Sequence, residues 1–288
     1  MKSMKRTKLK DKEVNPFKTI LFGFLGYVII GVALISLPFA QKIPVGFVDN
    51  LFNVVSAMST TGSLSDMYTP FGKIILLGLI QLGAIGYMTL TSFLILSTSK
   101  KISTHRVKIL SAEFSMPENF DLKHFISNII IYTIIVEFIG TVLLCIEFSK
   151  LGLQKPLWSG IFHCVSAFST AGFSIYADGL CRFQNDVSVN LIIAFLCYAG
   201  AIGFIVPMDI YRRLTNKSKE ITFTTKIILF ITVMITLTGS VIYIGSSGAD
   251  ALSAFFQVMS ASTTAGFNTV DVSKLPDAAL LVLIFAMI

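Results

Sequence analysis

Long apolar runs, separated by short charged or turn-rich segments, set the pattern of this chain. Residues 19–41, 74–99, 187–208 and 227–249 contain no acid or base, and residues 125–148 are interrupted only by Glu137 and Glu147. A bilayer-spanning helix needs about 20 predominantly apolar residues. The pattern therefore predicts five spans, with a sixth run opening after Asp277 and still apolar at Ile288. Three further apolar stretches, 50–65, 156–177 and 251–270, open with helix-forming residues and then break into Ser/Thr/Gly clusters. Glycine and clustered hydroxyls interrupt helices, so each stretch predicts a short helix followed by an extended turn. The expected fold is an all-α multi-pass membrane protein built from repeated membrane–pore–membrane units.

Composition agrees. Hydrophobic residues make up 54% of the chain and charged residues 14%, with a mean hydropathy of +0.78. Soluble domains carry about 25% charged residues. The net charge of +7 invites a nucleic-acid reading, but in so apolar a chain basic excess reflects topology, and no nucleic-acid partner is expected. Lys2, Lys5, Arg6, Lys8, Lys10, Lys12 and Lys18 crowd the N-terminal segment, with five more basic residues in 98–124 and five in 212–226. Only six of the 23 fall on the other side, so the first side is read as cytoplasmic, with the short broken helices entering from outside. No small-residue cleavage site follows the first apolar run, which reads as an anchor rather than a removable signal. Among the cysteines, Cys145 and Cys197 lie in apolar runs and read as packing residues, while Cys181 has no evident partner. The expected organisation is a basic cytoplasmic N-terminus (1–18), a first unit (19–100), a cytoplasmic loop (101–124), a second unit (125–211), a second loop (212–226) and a third unit (227–288).

The broken helices repeat. Residues 56–63 read SAMSTTGS, 166–173 read SAFSTAGF and 260–267 read SASTTAGF, at separations of 110 and 94 residues. A second repeat, GAIGY at 83–87 and GAIGF at 200–204, falls midway along the span that follows each of the first two copies. A Ser/Thr/Gly helix-packing motif would account for any one turn. Three registered copies, each after a short helix, outweigh that explanation. The GAIG segments are read as sites of close packing against the short helices.

Irregular backbone at membrane depth is tolerated only when buried in protein or lining a water-filled cavity. A helix that stops mid-membrane points its negative carbonyl end there, which favours a cation. Gly62, Gly172 and Gly266 permit backbone angles closed to other residues, so carbonyls can be aimed at one axis. The hydroxyls of Thr60, Thr61, Ser169, Thr170, Thr263 and Thr264 can support that geometry. The turns hold no carboxylate, which favours a dehydrated monovalent ion over a divalent one.

At these residues the chain resembles the Trk/Ktr/HKT superfamily of potassium transporters, closest to KtrB-type membrane subunits. The segments LFNVVSAMSTTG, LIQLGAIGYMT, IFHCVSAFSTAGFS and FFQVMSASTTAGFNTVD carry the resemblance, in family order across nearly the whole chain. The resemblance implies four units around a pseudo-fourfold pore, of which about two and a half are present here. It implies a truncated product or partial sequence, lacking a gating loop and a fourth unit. It makes Gly62, Gly172 and Gly266 filter glycines, with Thr60, Thr61, Thr170, Ala171, Thr264 and Ala265 supplying ion-coordinating carbonyls for K⁺. A filter glycine in the first unit resembles potassium-selective members; sodium permeation or sodium coupling is the alternative. Thr263 stands where many relatives carry Arg. The resemblance further implies a homodimer in the cell membrane beside a cytoplasmic nucleotide-binding subunit of KtrA/TrkA type, and no covalent cofactor. Basic residues in 100–108 and 212–219 could meet that subunit, although topology alone explains them.

Glu137 sits mid-span, open to a functional or a structural hydrogen-bonding reading. Glu147 is read as interfacial, and His163 beside Cys164 as packing rather than metal binding. His105 and His124 show no supporting pattern. The chain has no HExxH, GxSxG or paired Asp, which argues against an intramembrane enzyme.

Overall fold

The computed structural model of the chain describes residues 16–63, 66–86, 89, 122–215 and 220–288. The basic N-terminal residues 1–15, most of the loop 101–124 with His105, and residues 216–219 lie outside the described residues. Among the described residues there are ten α-helices and no β-strand. The first unit comprises α1 (Pro16–Ile35), α2 (Phe47–Met58) and α3 (Pro70–Ile85). The second comprises α4 (Leu122–Lys150), α5 (Pro156–Phe168), α6 (Val187–Ala201) and α7 (Ile205–Leu214). The third comprises α8 (Phe223–Ser247), α9 (Ala251–Ser262) and α10 (Asp277–Met287).

Local chemistry fixes where the helices begin. Proline stands in the first turn of α3 and α5, where its missing N–H costs nothing. The side chains of Thr69, Asp186, Thr222 and Asp250 accept backbone N–H bonds at the starts of α3, α6, α8 and α9. Gly248, left-handed at φ 68°, closes α8.

Two helix classes result. Residues Ile126–Lys150 and Phe223–Ser247 are each 25 residues long and apolar enough to cross a membrane. They turn large apolar side chains outward: Phe138 is 69% exposed, Phe230 66% and Val241 70%. Such faces are compatible with a hydrocarbon surrounding. The short helices α2, α5 and α9 have 12, 13 and 12 residues. At 1.5 Å per residue they reach only about 20 Å, too little to span. They also hold buried polar side chains at matching places: Asn53, His163 and Gln257, and three residues on Ser56, Ser166 and Ser260. Polar groups therefore gather at the centre and apolar ones face outward.

Neighbouring units share cores. Phe162 and Phe173 of the second unit pack with Val54, Tyr68, Leu76 and Ile80 of the first. Phe256, Met259 and Phe267 of the third pack with Leu144, Phe148, Val189 and Ile193 of the second. The phenylalanine that follows Gly172 or Gly266, Phe173 or Phe267, is thus a plug in the preceding unit.

The stretch 187–208, expected as one continuous span, is two helices that meet at 95°. The break falls at Gly203, whose φ is +75°. Its counterpart Gly86, at φ +82°, ends α3 in the first unit. The GAIG motif accordingly has two jobs. Its first glycine is a contact point: a Cβ at Gly83 or Gly200 would overlap the carbonyl oxygen of Met58 or Phe168, the last residue of α2 or α5. Its second glycine breaks the helix.

This contact yields a test. Gly200→Ala is expected to lower stability by about 1–3 kcal/mol, because the methyl group has nowhere to go. Gly78→Ala on an open face of α3, where nothing lies within 4 Å, should be neutral or mildly stabilising. Thermal unfolding of the two variants in detergent checks the difference.

Candidate cation pathway

Each short helix ends in the same way. Ser59, Ser169 and Thr263 are the C-cap residues, and each donates its N–H to the carbonyl four residues back, at 2.8, 3.0 and 3.0 Å. The next residue is Thr60, Thr170 or Thr264, at φ 52°, 50° and 53°. These three are the only non-glycine residues with positive φ among the described residues. The following N–H groups, of Thr61, Ala171 and Ala265, reach back to the carbonyls of Ser56, Ser166 and Ser260 at 2.9, 2.8 and 2.9 Å. That six-to-one bond, paired with a five-to-two bond from the threonine N–H, defines a Schellman cap.

Glycine is the usual residue at the left-handed place in this cap. A β-branched residue there costs on the order of 1–2 kcal/mol. The threonines are therefore held in place by their surroundings. The Schellman bonds, the buried Ala171 and Ala265 methyl groups, and the Phe173 and Phe267 plugs over-determine the turn. Backbone strain of this kind persists only where the surrounding structure holds it.

The chain then turns positive again at Gly62 (φ 98°), Gly172 (φ 64°) and Gly266 (φ 77°). Here the three copies meet. A Cβ on Gly62 would lie 3.0 Å from the Ala171 carbonyl oxygen, and one on Gly172 would overlap the Ala265 carbonyl oxygen. One on Gly266 would lie 3.5 Å from the Thr61 carbonyl oxygen. The carbonyl before each of these glycines thus faces the glycine of another copy. Three segments separated by about a hundred residues in sequence form one cluster, and at Gly172 the approach leaves no room for a Cβ.

Above the cluster opens a cavity of about 720 Å³, lined on its inner wall by Thr61, Gly62, Gly172 and Gly266. Asp178, Asn268 and Asp271 contribute to its rim. Arg182 forks onto Asp178 with contacts of 2.7 and 3.1 Å and lies 4.1 Å from the centre of the Tyr176 ring. The Arg182 hydrogen bonds hold the Asp178 carboxyl below its ordinary range. Hydrogen bonds from Ser273, with Lys274 beside it, do the same for Asp271. Both carboxylates are paired with a neighbouring basic side chain, Asp178 with Arg182 at 2.7 Å and Asp271 with Lys274 at 3.1 Å, so the mouth is polar with its acidic charge locally offset. The repeated motifs do not single out these rim residues. Their available signal was a carboxylate a few residues beyond each of the second and third turns.

The remaining candidates take structural places. Gln81 Nε2 donates to Glu137 Oε1 at 2.9 Å, joining the first unit to the second, and Glu137 is not among the residues lining the cavity. His163 is fully buried between Ser159 and Ser174. Among the described residues no group of three or more His, Cys, Asp or Glu could hold a metal ion. Cys164 and Cys197 are buried and all four cysteines are free thiols.

Repeated half-helices whose turns meet beneath a shared cavity, enclosed by apolar helices, define a membrane protein of the pore-loop class. The chain belongs to the TrkH family of cation transport proteins, whose pattern matches residues 25–242 and 220–288. It is therefore a member of a transporter family and not of an enzyme family. It is 32% identical over 301 residues to the Ktr system potassium uptake protein B of Vibrio alginolyticus, covering 99% of this chain and 65% of that protein. It is 29% identical to the protein of the same name from Bacillus subtilis, covering 96% and 67%. It is 28% identical to the potassium/sodium uptake protein NtpJ of Enterococcus hirae, covering 96% and 64%. The chain thus spans about two thirds of the length of these curated relatives. It shares its fold with the crystal structure of the potassium transporter TrkH from Vibrio parahaemolyticus. The TM-score is 0.63 at 21% identity, over 96% of this chain and 57% of that one.

The left-handed threonines are open to test. Thr264→Gly should raise the unfolding temperature, since glycine at this φ avoids a cost of about 1 kcal/mol. Thr264→Val keeps the branched Cβ and loses the 2.7 Å hydroxyl bond to the Thr263 carbonyl, so it should lower that temperature. Parallel thermal melts would read both shifts.

Proposed function

We propose that this chain is the ion-conducting part of a potassium uptake system of the Ktr/Trk type. In this reading a single filter is assembled from Thr60, Thr61 and Gly62, from Thr170, Ala171 and Gly172, and from Thr264, Ala265 and Gly266. Their carbonyl oxygens replace the water shell of a K⁺ ion, while the C-terminal ends of α2, α5 and α9 add negative potential. The carrying observation is the mutual approach of the three turns, with each carbonyl before a glycine facing another copy. Cations enter through the polar mouth, shed water at the carbonyl cluster and pass inward along the axis.

The relatives' names support potassium as the transported ion, and the name of the Enterococcus relative keeps sodium as a second reading. The whole assembly in this proposal is a homodimer in the cell membrane, with the N-terminus cytoplasmic and the turns open to the outside. A cytoplasmic nucleotide-binding subunit of KtrA/TrkA type regulates it, docked against the basic loops. The unit boundaries remain as set out above: 19–100, 125–211 and 227–288.

The gene, read to its natural stop codon and expressed with its regulatory partner, should restore growth of a potassium-uptake-deficient bacterium at low potassium. Gly172→Ala should cut potassium uptake by about tenfold or more, because a methyl group at positive φ would displace the Ala265 carbonyl. Absence of rescue despite membrane expression would contradict the proposal.

A further inference from the structure

The three short helices carry one buried polar side chain each at an equivalent place, three residues before the first serine of the repeat. These are Asn53, His163 and Gln257, at 2%, 0% and 1% exposure. None of them faces the cavity above the filter. Helix formation itself does not call for a polar side chain at this place, and a buried polar group is retained where its hydrogen bonds are made. Their hydrogen bonds explain their presence.

His163 places Nδ1 2.8 Å from the Ser159 carbonyl oxygen and Nε2 3.1 Å from Ser174 Oγ. Ser174 lies two residues beyond the filter glycine Gly172. Its hydroxyl accepts the Tyr176 N–H at 3.1 Å and lies 3.0 Å from the Gly179 carbonyl. A single imidazole thus ties the start of the loop after the filter to the helix before it. In the third unit the residue two beyond the glycine is Asn268. With its amide in the orientation that satisfies both ends, Gln257 donates to Asn268 Oδ1 at 3.0 Å and accepts the N–H groups of Thr269 and Val270 at 3.0 and 3.3 Å. Two chemically different side chains hold the same place in the turn. In the first unit Asn53 Nδ2 reaches the Asp49 carbonyl at 2.8 Å, as His163 reaches Ser159; the counterpart of Ser174, position 64, lies outside the described residues.

We propose that His163 and Gln257 are positioning residues for ion discrimination: each fixes the residue two places after its filter glycine and so sets how closely the carbonyl cluster closes. The inference rests on the transport reading above. Discrimination between K⁺ and the smaller Na⁺ depends on where the carbonyls are held. A brace on the downstream end of each turn acts on that position without touching the ion. A packing role alone would make His163 a determinant of protein yield and not of ion preference.

The experiment uses the transporter expressed from its natural gene with its partner, and reads Rb⁺ uptake in competition with K⁺ and with Na⁺. The wild-type protein should favour K⁺. His163→Leu, at matched protein level, should lower the ratio of K⁺ to Na⁺ preference about tenfold, the change expected for one lost buried hydrogen bond. His163→Gln, which installs the side chain used in the third unit, should stay within about twofold of wild type, since its amide can make the same contact. Ser174→Ala removes the other end of the brace with little change in volume and should reproduce the effect of His163→Leu, which covers the case in which the leucine variant folds poorly. An unchanged ratio in Ser174→Ala, or an equal loss in His163→Gln and His163→Leu, overturns the inference while leaving the transport reading intact. A wild-type protein without preference for K⁺ overturns both.

Discussion

A backbone carbonyl at membrane depth has no water to bond, so three interrupted helices must give their carbonyl ends to one another or to something that enters from outside. The architecture follows from that constraint. The turns can exist only at the centre of the fold, shielded by α1, α3, α4, α6 and α8. Those helices are apolar on the outside, while the short helices bury serine, asparagine, histidine and glutamine on the inside. Gly83 and Gly200 let the shielding helices press directly on the final carbonyls of α2 and α5. A larger residue there would hold the turns apart.

The turn itself concentrates unfavourable geometry. Three threonines sit in a left-handed conformation that glycine would adopt more readily, and three glycines follow at positive φ. Evenly repeated strain of this kind requires support from every side. In the second and third units the Schellman bonds secure the turn from the helix, the phenylalanine plugs secure it from the neighbouring unit, and the hydrogen bonds to Ser174 and Asn268 hold its far end on the cavity side. A threonine rather than a glycine also stiffens the unfolded alternatives of the segment, so the turn is narrowly defined once formed.

Much of this was legible in the sequence. The short helices and the three registered turns are written in hydropathy and in a repeated eight-residue pattern, both of which survive without tertiary information; of the five expected spans, two are single helices long and apolar enough to cross a membrane among the described residues, and 187–208 falls in a bent pair. Cys197 behaves as a packing residue, and the GAIG segments as contact points, because small size is itself the signal. Other features were not legible. The 95° bend after Ala201 lies inside an uninterrupted apolar run, and hydropathy cannot tell a straight helix from a broken one. The left-handed threonines were hidden because threonine is a poor guide to positive φ. The Gln81–Glu137 bond joins residues 56 apart in sequence, and only packing of the first unit on the second reveals it. The rim carboxylates fall in loops, Asp178 clamped by Arg182 and Asp271 paired with Lys274.

The account stands on the carbonyls of Thr61, Ala171 and Ala265 acting as ligands for a bare monovalent cation. Anomalous diffraction from crystals of the transporter grown in Rb⁺ tests this most directly. A peak on the axis, within bonding distance of those carbonyls and weakened by excess K⁺, is the predicted result. Peaks confined to Asp178 and Asp271 at the rim, with none among the carbonyls, would contradict it.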